Sequence, residues 1–147
     1  MSVELLNKDT VVKYLTDKKV ISASDNAEVE VLTGGVSNVV LAITTANQKL
    51  VLKQALAELA VSEKWIADQR RAIVEADAIK LFNQLSPDQV PKLIFLDPER
   101  FILVLERVPV GSTVWKSDLL AGVINPDVGA GLGKTLATWH NYGEVTA

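Results

Sequence analysis

The residues best suited to chemistry lie in two short stretches of this sequence. Gly34-Gly35-Val36-Ser37-Asn38 sets a glycine pair and two small polar side chains between alternating apolar runs, and Lys53 lies inside a third run, Val51-Leu52-Lys53. Without a Cβ, a glycine loop lets backbone N–H groups approach phosphate oxygens, and a lysine two strands on can bring its ammonium to the same oxygens. Glu75, on the next long helical pattern, supplies a counter-charge that would hold that ammonium in place. Singly, each residue has a plainer reading: a glycine pair as a hairpin turn, a lysine snorkelling from an edge strand, a glutamate in solvent. In this order and spacing they point to a nucleotide-phosphate clamp in which a third-strand lysine is held by a glutamate of the following helix.

The elements that must carry them follow from periodicity. Residues 9–18 hold Val11, Val12 and Leu15 at helical spacing, with Asp9 or Thr10 available as a cap. Residues 28–33, 39–44 and 50–55 read as a three-stranded meander, with Lys53 pointing inward from the last strand. After a polar linker over 58–68, a long helix is expected over 69–85, with Val74, Ala78, Leu81 and Leu85 as its apolar stripe and Glu75, Ile79 and Phe82 beside it. Ser86-Pro87 stops that helix. Residues 92–96 and 101–106 form two more strands around the turn Asp97-Pro98-Glu99-Arg100. The polar connector Glu106-Arg107-Val108-Pro109 could then offer a backbone carbonyl and N–H to a base edge, although a simple loop would look the same. A short helix near 114–123 and a last helix complete the pattern. Asn125 caps the last helix, Pro126 takes its first position, and Val128, Leu132, Leu136 and Trp139 line one face. The whole is an α+β chain with a five-stranded, mostly antiparallel sheet and one long packed helix.

Composition narrows the classes. A chain of 147 residues can bury one core, and a net charge of -3 gives no footprint for nucleic acid. There is no cysteine and only one histidine, His140, so thiolate chemistry and histidine metal clusters are excluded within the sequence. The first residues lack the pattern of a signal peptide and no apolar run reaches membrane-spanning length, so a cytoplasmic protein with no membrane partner is expected.

With these residues in view, the sequence resembles the aminoglycoside phosphotransferase and choline kinase superfamily of kinase-like enzymes. Gly35-Val36-Ser37-Asn38, Val51-Leu52-Lys53-Gln54-Ala55-Leu56, and Trp65 with Arg70 ahead of Glu75 look closest to its methylthioribose kinase branch. The resemblance implies ATP as the nucleotide, with phosphates over Gly34, Gly35, Ser37 and Asn38. It implies Lys53 on those phosphates, Glu75 on Lys53, and adenine on the backbone of Glu106 and Val108. A kinase-like small lobe over residues 1–107 would be followed by a hinge and the first helices of a large lobe over 108–147. The segment 132–140 is similar to the helix that precedes the family's catalytic loop.

The sequence departs from the family after that helix. Phosphoryl transfer needs a loop of the type H-x-D-x-x-x-x-N and a later metal-binding aspartate, but Asn141 and Tyr142 follow His140. Asp127-Val128-Gly129 has the letters of the metal-binding tripeptide but precedes His140, and Asp127 reads as a first-turn acid. The expectation is therefore the nucleotide-binding N-terminal part of an ATP-dependent small-molecule phosphotransferase whose chemistry is encoded elsewhere, the chain being truncated, a proteolytic fragment or a natural degenerate protein. It would have no catalytic residue of its own, its Mg site would come with the missing lobe, and its acceptor would be recognised mostly there. The alternative is a non-catalytic interaction module. An apolar face where the large lobe should pack would favour self-association. Residues 128–135, VGAGLGKT, nearly spell a phosphate-binding P-loop, but Val128 stands at the first glycine and the helical face of Val128, Leu132 and Leu136 runs straight through.

Overall fold

The computed structural model describes residues 4–33, 35–109 and 111–145, with side chains as far as residue 142. Helix α1 (Lys8–Asp17) leads into the strands β1 (Glu28–Val31), β2 (Asn38–Thr44) and β3 (Lys49–Ala55). Helix α2 (Arg71–Leu85) comes next, then β4 (Leu93–Asp97) and β5 (Ile102–Glu106), and finally the helices α3 (Trp115–Leu120) and α4 (Pro126–Val145). The five strands form one sheet in the order β1-β2-β3-β5-β4, and every pairing is antiparallel. This is the α+β architecture of a kinase-like small lobe.

The sheet has two differently built faces, because alternate residues of a strand point opposite ways. Leu50 and Leu52 of β3 join Leu41 and Ile43 of β2 and Ile102 and Val104 of β5 in a core roofed by Val11, Tyr14 and Leu15 of α1. Ala55 and Leu103 point to the other face, against Ala72 and Ala76 of α2. Lys53 shares the parity of Ala55, so β3 must deliver it to the α2 side. Gln54 falls on the α1 side and is fully buried. Its amide accepts from the Leu6 N–H at 2.8 Å and donates to the carbonyls of Glu4 and Arg100, at 3.1 and 3.4 Å.

Helix α1 begins on neither of the residues the sequence suggested. Asn7 is its N-cap: the Asn7 Oδ1 accepts from the N–H groups of Asp9 and Thr10, and Thr10 Oγ1 accepts from the Asn7 N–H, a reciprocal capping box. The helix closes in a Schellman turn, Lys19 N–H to Thr16 O and Val20 N–H to Leu15 O, both at 2.9 Å. Lys19 takes the left-handed conformation there, at φ 59°, where glycine is usual.

Helix α2 is rotated relative to its expected stripe. Ala72 and Ala76 are the buried residues, while Val74 is 69% exposed. Close approach of a helix to a sheet selects small side chains over large ones, so the alanines set the phase. That phase turns Arg71 and Glu75, one turn apart, toward the sheet.

Helix α4 starts as its sequence indicates, with the Asn125 side chain accepting from the Asp127 N–H at 3.1 Å. The P-loop-like residues lie within its continuous helical run. It docks on α2 through Trp139, whose ring stacks on Phe82 at 3.9 Å between centroids and whose indole N–H donates to Ser86 Oγ. Val128, Leu132 and Leu136 of α4 stay exposed, as do Leu120 and Ile124 in and after α3. Among the described residues, no helix is long and apolar enough to cross a membrane.

Candidate functional site

The site is assembled where β3, α2 and the β1–β2 loop meet. Register places Val40 of β2 and Leu103 of β5 on either side of Lys53, giving the lysine stem an apolar flank on each side. Its ammonium donates to Glu75 Oε1 across the gap between sheet and helix. The lysine side chain is 24% exposed and the glutamate 35%, so the pair is shielded but still open to solvent on one side. Val51, two residues before Lys53, shares its face and lies opposite Ala42 and Leu105, which extends the apolar floor toward the end of β5.

The loop is tied down on its C-terminal side. Val36 O accepts from the Ala60 N–H at 2.8 Å, and Ser37 O accepts from the Leu56 N–H at 3.0 Å. The Asn38 amide donates to Ser37 Oγ at 3.0 Å. Gly35 is exposed, and a Cβ built there meets nothing within 4 Å, so no steric crowding demands glycine at this position. Gly34 lies outside the described residues.

Glu106 ends β5 three residues after Leu103, the register partner of Lys53, a rise of about 10 Å along the strand, and Val108 follows two residues later. The Glu106 N–H is occupied by Lys92 O at 2.9 Å and the Arg107 N–H by Lys49 O at 2.9 Å. Among the described residues no hydrogen bond engages the Val108 N–H. Arg107 also pairs with Glu30 of β1 at 3.3 Å. Glu106 and Val108 line a cavity of about 280 Å³ with Pro87, Gln89 and Val90.

Thus Lys53 and Glu75 are joined, Ser37 and Asn38 are fixed at the same corner, and Glu106 and Val108 stand at and just past the end of the neighbouring strand β5. The sequence reading missed Arg71. Its guanidinium donates to three carbonyls, those of Asp68 (2.9 Å), Ser37 (2.5 Å) and Leu56 (2.9 Å). The neighbouring Arg70, which the resemblance had singled out, is exposed and binds Asp68 alone, at 2.9 Å through Nε and 2.7 Å through Nη2. Those bonds, with the Arg70 backbone N–H, hold the Asp68 carboxyl below the usual carboxylate range. The signal that would have chosen Arg71 is its spacing, four residues before Glu75 and so on the same helical face. Among the described residues, no group of three or more His, Cys, Asp or Glu side chains could hold a metal ion.

No family model matches the chain. The chain does align with curated proteins of one kind. It is 29% identical over 133 residues to a methylthioribose kinase of Bacillus cereus (strain G9842), a match covering 90% of this chain and 34% of the relative. A methylthioribose kinase of Enterobacter sp. (strain 638) is 31% identical over 117 residues, 78% of this chain and 29% of the relative. The chain is a sequence relative of the methylthioribose kinases. It spans about a third of the length of those relatives. The methylthioribose kinase likeness and the five-stranded sheet with its α2 agree with the kinase-like superfamily to which the glycine loop, Lys53 and Glu75 pointed.

Proposed function

We propose that this chain is the nucleotide-binding portion of an ATP-dependent small-molecule phosphotransferase. The observation that carries this reading is the Lys53–Glu75 pair, set on the α2 face of the sheet beside a glycine loop. In this reading Gly34, Gly35, Ser37 and Asn38 surround the phosphates of ATP and Lys53 binds oxygens of the α- and β-phosphates. Glu75 keeps the ammonium from turning away, and adenine meets the Glu106 carbonyl and the Val108 N–H. Val40, Val51 and Leu105 supply the apolar surface under the base. Residues 1–107 act as the small lobe and 108–147 as the hinge and first helices of a large lobe.

The acceptor is a hydroxyl of a small molecule, with a methylthioribose-like sugar suggested by the relatives' name. The chain by itself binds without transferring. Its sequence has no H-x-D-x-x-x-x-N loop, and no metal-holding cluster occurs among the described residues, so no step through Mg is assigned to it. It works as a soluble cytoplasmic protein, and the exposed apolar side of α3 and α4 is where the rest of such an enzyme, or another copy of the chain, would pack.

Thermal unfolding with and without Mg-ATP tests the reading. Nucleotide at about 100 times its dissociation constant adds about 2.7 kcal/mol to a protein that binds it only when folded. A melting temperature that ignores saturating Mg-ATP would favour the pure interaction module instead.

A further inference from the structure

We infer that Arg71 is a positioning residue that locks the phosphate-binding corner by holding three separate chain segments with one guanidinium. Its role rests on the nucleotide reading above, but its geometry stands independently. Nη1 reaches the Asp68 carbonyl ahead of α2. Nη2 is shared between the carbonyl of Ser37, the last residue of the glycine loop, and that of Leu56, the first residue after β3. Loop exit, lysine strand and glutamate helix thus converge on one side chain.

Two features make the arrangement specific to arginine. The guanidinium is planar with donors in a rigid fork, so it can satisfy three divergent carbonyls at once, which a lysine ammonium on a flexible stem does not reproduce. Charged donors to partly buried carbonyls also make shorter, stronger bonds than neutral ones. Neighbouring bonds follow the same seam: Leu56 N–H to Ser37 O, Ala60 N–H to Val36 O, and Gln69 Nε2 to Ala55 O at 2.7 Å. Arg71 and Glu75 are successive prongs of α2, one fixing the loop and the other the lysine. Displacing the first moves the loop away from the ammonium that the second presents.

Two variants, Arg71→Ala and Arg71→Lys, test this by amide hydrogen exchange and by ligand titration. Exchange at Leu56 and Ala60 rises by about tenfold or more in both variants, while the strand amides of Leu52 and Leu103 keep their protection. Unchanged exchange at Leu56 and Ala60, or equal loss at all four amides, overturns the clamp. In titrations, Mg-ATP binding weakens by about tenfold or more in both variants, whereas adenosine, which has no phosphate, binds as it does to the wild type. Equal weakening of both ligands, or full rescue by lysine, contradicts a phosphate-positioning role. A wild-type protein that binds neither ligand overturns the nucleotide reading itself, and the exchange pattern, which involves no ligand, still decides the clamp.

Discussion

Replacing Lys53 by methionine abolishes Mg-ATP binding while leaving the fold in place. The methionine keeps the apolar stem between Val40 and Leu103, so β3 retains its packing and only the ammonium is lost. If the pair were fully buried, leaving Glu75 alone would cost about 3–5 kcal/mol and the protein would unfold. The structure argues for a smaller penalty. Glu75 is 35% exposed and can recover water, so the cost to stability is about 1 kcal/mol or less. Loss of affinity in a protein with a nearly unchanged melting temperature is therefore the expected result, read by calorimetric titration and thermal unfolding together. Nucleotide affinity equal to wild type would remove Lys53 from the site.

The second large effect concerns stability and lies at the opposite face of the sheet. Asp97 ends β4 with a side chain only 5% exposed. Its Oδ2 accepts from Tyr14 Oη at 2.8 Å and pairs with Lys18 at 3.1 Å, while Oδ1 accepts from the N–H groups of Glu99 and Arg100. Desolvation pushes this carboxyl up, but the hydrogen bonds from Tyr14 and Lys18 and the Arg100 N–H outweigh it and leave it below the usual carboxylate range. The Tyr14 hydroxyl is pushed strongly up, by burial first and then by its bond to Asp97, so it stays a donor at neutral pH.

A depressed carboxylate stabilises the fold above its unfolded value, near 4, and that contribution disappears as pH falls through the lower folded value. Asp97→Asn is thus expected to cost about 2–3 kcal/mol at pH 7, where hydrogen bonds to a charged acceptor are lost. The deficit should shrink as pH falls below the usual carboxylate range and the wild-type carboxylate is itself protonated. Urea unfolding from pH 2.5 to 7 measures this. A deficit independent of pH would show that the side chain's shape, and not its charge, ties α1 to the β4–β5 turn.

The strands were legible because alternation and β-branched runs fix both their existence and their faces. The sequence read Lys53 as pointing inward; that this is the α2 side follows from the parity it shares with Ala55, which packs on Ala72 and Ala76. Its pairing with Glu75 could be proposed from the order of elements. What escaped the sequence depended on choices between neighbours that local pattern treats as equal. Asn7 caps α1 instead of Asp9 or Thr10, because Thr10 reaches back to complete the box. Val74 promised burial on hydrophobicity, but α2 comes close to the sheet through Ala72 and Ala76. Arg70 and Arg71 are adjacent and chemically identical, and only helical phase turns the second one inward. The contact of Tyr14 with Asp97 and the triple bond set of Gln54 join segments far apart in sequence, so no local signal announced them.

The central claim is that ATP lies on the α2 face of the sheet between the glycine loop and Lys53. A ¹⁵N-resolved NMR titration of the chain with Mg-ATP tests it most directly. The account predicts that the amides of Gly35, Ser37, Asn38, Lys53, Glu75 and Val108 shift together with a single dissociation constant, while residues 128–135 of α4 stay still. Shifts confined to 128–135, or none at saturating nucleotide, would contradict it.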